Sequence, residues 1–187
     1  MWRETARAFT CLCLFVLLLP AASPARAANN PKGILGFRWD DSVQSVAQRA
    51  RSLKFTTISE EKSLSEVTTT GYSGRVFDME AEVRASFFRG RLFDVTIRFP
   101  RMSYGDFAVL VAAHEDRHGG AKTYHGSLGN FGAKSLHWGI DETGIALIMT
   151  EQESVWLEYT NLTKKNEALR EWRRVTEQQR EKIRRQL

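Results

Sequence analysis

The chain has 187 residues, with 27 Lys and Arg against 22 Asp and Glu and a formal net charge of +5. Its two cysteines, Cys11 and Cys13, both fall within residues 1–27, which excludes a disulfide-stapled scaffold for the remainder. Residues 163–187 carry nine basic side chains against four Glu, a surplus as large as the whole chain's, so the body before them is slightly acidic, the basic balance is no evidence for a nucleic-acid-binding body, and no nucleic-acid partner is expected.

The first stretch reads as a targeting segment. Arg3 and Arg7 precede an apolar run from Cys11 to Ala22, and Ala25-Arg26-Ala27 follows as a small-x-small cleavage site. This is the plan of a secretory signal peptide, and the run is shorter than the roughly 20 residues that span a bilayer. The expected organisation is a signal peptide at 1–27, an α+β domain at 28–162 and a basic helix at 163–187. The expected location is the periplasm or the bacterial exterior, with no transmembrane segment after cleavage.

Gly36-Phe-Arg-Trp39 predicts a short opening strand. Asp40 or Asp41 then caps a first helix, with Gln44 closing a capping box and Val43, Val46, Ala47 and Ala50 recurring at helical spacing. Lys54 to Ile58 predicts a strand, Ser59 to Ser63 a turn, and Glu66 to Tyr72 a Thr-rich strand ended by Gly71 and Gly74. The strongest pattern is the alternation from Met79 to Phe99, which predicts a hairpin. Met79, Ala81, Val83, Ala85 and Phe87 share one face; Phe93, Val95, Ile97 and Phe99 share one face past the turn. A three-residue loop, Phe88-Arg89-Gly90, brings both rows to the same side and puts Gly90 at a left-handed position. That register sets Glu80 opposite Arg98 and Arg84 opposite Asp94, pairs worth about 0.2–1 kcal/mol each.

Ser103 predicts the cap of a second helix, with Asp106 at its third position. Its apolar stripe is Phe107, Leu110, Val111, His114 and His118, and Gly119-Gly120 ends it. Residues 119–132 read as a glycine-rich loop containing Gly126, Gly129 and Gly132, not as a phosphate cradle. A meander follows: Leu136, Trp138 and Ile140, a four-residue turn Asp141-Glu-Thr-Gly144, then Ile145, Leu147 and Met149, then Val155, Leu157 and Tyr159. Pairing Ile140 with Ile145 sets Trp138 opposite Leu147 and Leu136 opposite Met149. This gives one apolar sheet face on the meander and another on the central hairpin. The expected fold is α+β: an antiparallel sheet from the hairpin and the three-strand meander, helices packed on one face, and a charged C-terminal helix.

In that last helix Glu167, Glu171, Glu177 and Glu181 each have an Arg three residues on, pairs that support an exposed helix by about 0.2–0.5 kcal/mol each. Leu169 and Trp172 are expected to dock its first turns. The distal half is left for another envelope protein or an anionic surface.

His114-Glu115-Asp116-Arg117-His118 is H-E-x-x-H on a predicted helix. Histidines four apart lie on one face and can share a zinc ion, with Glu115 as base for a bound water. In this it resembles the zinc metallopeptidase signature, which implies His114 and His118 as ligands. Asn166-Glu167-Ala-Leu-Arg-Glu171 is similar to the ligand helix of thermolysin-like enzymes that supplies a third ligand. Against a zinc site stand the charged Asp116 and Arg117, the position of His118 in the helix's last turn, where the dipole alone favours histidine, and Tyr124 at the place of a third His. No Gly-x-Ser-x-Gly elbow and no cysteine after residue 27 offers another nucleophile.

Gly36-Phe-Arg-Trp-Asp-Asp-Ser-Val43, Arg117-His-Gly119, Trp138 and Leu157-Glu-Tyr-Thr-Asn-Leu162 together resemble small exported bacterial proteins. The helix-then-strands plan is similar in outline to envelope assembly lipoproteins of the BamE kind, which implies a binding or assembly role. The sequence thus points first to a non-enzymatic envelope binding or assembly protein without a cofactor. A small zinc-dependent hydrolase and a small-ligand carrier are the alternatives.

Overall fold

The structure, a computed structural model, describes residues 31–63, 65–126 and 134–186. The signal-peptide stretch, Gly129 and Gly132 lie outside the described residues. The fold is α+β. The first strands, β1 (Gly33–Ile34) and β2 (Phe37–Arg38), form a separate small hairpin. Its turn, Leu35-Gly36, has φ of 58° and 78°, the left-handed pair that closes two-residue hairpins. The Trp39 indole fixes this hairpin to the body by donating to Pro31 O (3.2 Å) and Thr143 Oγ1 (3.1 Å).

Helix α1 (Val43–Ser52) is capped by Ser42, whose hydroxyl accepts from Ser45 N–H at 3.1 Å. Neither expected aspartate caps it, because Asp41 turns back to accept from Arg38 N–H at 2.8 Å. Val46 and Ala50 are its buried residues. Strand β3 (Thr56–Lys62) continues, past an irregularity between Thr57 and Ser59, through Ser59 to Lys62 of the expected turn. It is exposed along its whole length at the sheet edge, where charged residues are tolerated and discourage pairing with another chain. Strand β4 (Val67–Val76) likewise runs through Gly71 and Gly74. A Cβ at Gly74 would run into the Phe55 ring and one at Gly71 into Ser59, so these glycines admit close neighbours instead of ending a strand.

The central hairpin is β5 (Met79–Phe88) and β6 (Arg91–Phe99). Its turn is the two residues Arg89 and Gly90, with φ of 51° and 72°, not the expected three-residue loop. A bulge between Ser86 and Phe87 leaves Phe93 as the extra residue. The register becomes Glu82 opposite Arg98, Arg84 opposite Thr96 and Ser86 opposite Asp94, so the expected Glu80 and Arg84 pairings are replaced; Glu82 and Arg98 form the ion pair, at 3.1 Å. A slip of two residues preserves every side chain's face. The bulge reverses one: Phe93 turns to the far face with Phe88, and Leu92 joins the main core in its place.

Helix α2 (Tyr104–His118) is capped by Ser103, which accepts from Asp106 N–H at 3.1 Å, and its predicted stripe is buried as a block. Within the expected glycine loop, β7 (Thr123–His125) pairs with β8 (Lys134–Ile140). The meander continues through β9 (Thr143–Met149) and β10 (Val155–Asn161). Its first turn is Asp141-Glu142, so Ile140 faces Thr143, Trp138 faces Ile145 and Leu136 faces Leu147, again two residues from the expected register.

β6 pairs with β10, joining hairpin and meander into one eight-stranded antiparallel sheet ordered β3-β4-β5-β6-β10-β9-β8-β7. The two expected apolar faces are therefore one continuous face, covered by α1 and α2 in a single core. Helix α3 (Leu162–Arg184), capped by Asn161, lies across the opposite face. Ala168, not Leu169 or Trp172, is its buried residue, packed on Phe88 and Phe93; Leu169 and Trp172 remain 43% and 52% exposed. Among the described residues no helix is long and apolar enough to cross a membrane.

Candidate functional site

His114 and His118 belong to the face of α2 that packs on the sheet, and both are buried. His114 Nδ1 lies 2.8 Å from Leu110 O, and a carbonyl only accepts, so Nδ1 carries the proton. Nε2 is then the acceptor for the Tyr159 hydroxyl at 3.1 Å. Burial lowers the His114 pKa, and burial pushes Tyr159 up to about 12. A neutral imidazole and a protonated phenol fit that pair of bonds. His118 stands 5.9 Å from His114, ring to ring, and neither of its nitrogens has a hydrogen-bond partner among the described residues. Burial, then the neighbouring His114 and Arg117, lowers its pKa to about 4.

The two histidines of H-E-x-x-H therefore lie side by side without a third ligand among the described residues. Both His114 nitrogens are engaged within the fold, and Glu115 is on the exposed side of the helix. Glu167 and Glu171, the expected source of a third ligand, sit on α3 across the sheet, where Glu171 pairs with Arg174. His125 and His137 form their own ring contact at 6.5 Å on β7 and β8. Among the described residues no three His, Cys, Asp or Glu come together as a metal would require. The spacing that signals a zinc helix is also the spacing of a core stripe, and in α2 both histidines belong to the buried stripe.

What His114 lines, without His118, is a groove of about 610 Å³ beside α2. Ile34 and Leu35 from the β1–β2 hairpin form one wall, and Phe77 and Met79 from the β4–β5 turn form the next. Val109, Leu110 and Ala113 of α2 form the third, with His114 and Tyr159 at the base. Phe77 is 58% and Val109 69% exposed. Leu35 and Phe77 have positive φ (58° and 51°), each in the first position of a two-residue turn. Such positions favour Asn, Asp or Gly, and a residue with a larger side chain there costs roughly 1–2 kcal/mol. Other large side chains share this backbone, Arg89 in its own two-residue turn among them, but among the described residues Leu35 and Phe77 are the two apolar ones, and both line this groove. Past Leu35 it adjoins a polar recess of about 380 Å³, and Leu35, Arg117 and Tyr159 line both spaces.

A second cluster lies under α3. The Thr160 hydroxyl is 2.6 Å from Asp94 Oδ1 and 2.9 Å from Glu158 Oε1, and Lys165 Nζ is 3.0 Å from Glu158. Burial pushes Asp94 up to about 6, with Glu158 adding to it. Burial also raises Glu158, but the Lys165 ammonium outweighs it and holds Glu158 below its ordinary value. Asp94 sits at the base of a groove of about 500 Å³ walled by Phe93, Leu169 and Trp172. Sequence reading missed this cluster, since Asp94, Glu158 and Lys165 lie far apart in the chain. The only signal was the polar residue at alternate positions of two strong strands. The chain was compared with family models, curated proteins and solved structures, and none matches.

Proposed function

We propose that this is an exported, non-enzymatic binding protein that takes a small apolar ligand into the groove beside α2. One observation carries the reading. Two separate turns hold Leu35 and Phe77 in a left-handed backbone, where Asn or Gly would be cheaper, and both side chains line one cavity. Strain kept at a site is a mark of use. A volume of about 610 Å³ falls in the range of about 300–1,000 Å³ that suits a small molecule. The groove is mostly apolar with a few polar groups at its base, as such sites are. Export rests on the Arg-flanked apolar run and Ala25-Arg26-Ala27. The tail helix supports the reading less: among its described residues only Ala168 is buried, and the grooves it borders hold the Asp94–Glu158–Lys165 charges in one case and only charged and amide side chains in the other.

The test is a fluorescence titration of the full chain with Nile red, an uncharged apolar probe. Saturable binding at one site per chain is expected, lost in Val109→Asp, which puts a charge on an exposed position of the wall without touching the core. Probe binding equal in both proteins would remove the groove from consideration.

A further inference from the structure

We propose that the groove's ligand is an anionic single-chain amphiphile, a long-chain fatty acid, with its chain along α2 and its carboxylate at Arg117. This rests on the groove being the ligand site and adds the ligand's chemical class.

The two ends of the groove differ in charge. Asp106 lines it at the start of α2, where its carboxylate accepts from the Ser103 hydroxyl at 2.6 Å. Arg117 lines it in the last turn, about 16 Å further along at 1.5 Å per residue. Between them the walls are apolar, apart from His114 at the base. Arg117 also lines the adjoining recess, whose other charged residues are Lys32 and Arg38, with no acidic residue among its lining. The ion pairs among the described residues involve none of these three cations. An apolar channel thus opens at one end onto three cations that form no ion pair among the described residues.

That pattern complements a molecule that is apolar along its length and negative at one end. A guanidinium presents two parallel N–H donors to a carboxylate, and Arg117 stands where the two spaces meet. A groove of about 610 Å³ suits one small ligand, which favours a single acyl chain. The neutral His114–Tyr159 pair at the base repels neither the chain nor the head. An uncharged ligand leaves the cations without a role, and a cationic one would be repelled by them.

The experiment titrates the full chain with cis-parinaric acid and, separately, with its methyl ester, both intrinsically fluorescent, at low and high salt. The acid is expected to bind about fivefold more tightly than the ester at low salt, the scale of one partly exposed ion pair. The preference should shrink at high salt. Arg117→Gln should bring the acid down to the ester's affinity, and a thermal melt of that variant checks its fold. Equal binding of acid and ester by the natural chain, or an acid preference that survives Arg117→Gln, would overturn the anionic assignment while leaving the groove intact. Failure of both probes to bind would overturn the groove itself and this inference with it.

Discussion

Phe77→Asn separates the groove's function from the fold's stability. A Phe side chain carries roughly 200 Å², and at 58% exposure about 85 Å² of it is covered by the protein. At about 25 cal/mol per Å² that cover stabilises the fold by at most about 2 kcal/mol. Against this, the left-handed backbone at Phe77, with φ of 51°, costs about 1–2 kcal/mol, most of which Asn removes. The two effects nearly cancel, so unfolding free energy should change by about 1 kcal/mol or less. Binding has no such compensation. A ligand covering half of the open ring surface gains about 1.4 kcal/mol, so its loss weakens Kd about tenfold. Urea denaturation and Nile red titration of the same preparations read both quantities. Wild-type affinity in Phe77→Asn would show that the ligand does not touch this turn. A loss of stability well beyond 1 kcal/mol would show that the strain argument is wrong.

Three further substitutions probe other parts of the fold. Because the Asp94 pKa is raised from 3.8 to about 6, the folded chain binds more protons than the unfolded one between those values, and this group's effect on stability worsens as pH rises from about 4 to about 6; Asp94→Asn should therefore gain about 1–3 kcal/mol at pH 7.5 and almost nothing near pH 4 by urea denaturation. His118 has the opposite sign: its pKa is lowered from 6.5 to about 4, so stability is lost as pH falls through that window, and His118→Leu should flatten the acid side of the melting profile. Gly90→Val should cost more than about 1 kcal/mol in a thermal melt, by backbone alone, since nothing lies within 4 Å of the added Cβ and its φ is 72°; an unchanged melting temperature would contradict the observed turn.

Strand faces were legible because alternation states them directly. Val83, Ala85, Val95, Ile97, Leu147 and Leu157 all lie where the pattern places them, in the main core. Register was not legible, for a reason internal to the period. A shift of two residues restores every face, so the hydrophobic pattern accepts Glu82 or Glu80 opposite Arg98 equally. Only turn geometry decides, and the Arg89-Gly90 turn with its left-handed pair fits the strand twist better than a longer loop. The parity mismatch then falls on Phe93, and the bulge that absorbs it creates the apolar patch on which Ala168 of α3 sits. The position of the last helix on the far face thus follows from a local turn preference that the alternation cannot express.

The site was less legible than the fold because its walls are turn residues. Leu35 and Phe77 follow no helix or strand period, and propensity assigns their positions to Asn or Gly, so a sequence reading passes over them. H-E-x-x-H drew attention instead, for it has a chemical meaning at the same spacing that gives α2 its buried stripe. Two observations separate those meanings, and neither is visible in the string. Glu115 must face the metal to serve as base, and it is exposed. A ligating imidazole must keep one nitrogen free of the fold, and both nitrogens of His114 are held, by Leu110 O and by the Tyr159 hydroxyl. The Tyr159 contact reaches across from β10, so it came from tertiary packing alone. The same contact places a neutral polar pair at the base of an apolar groove.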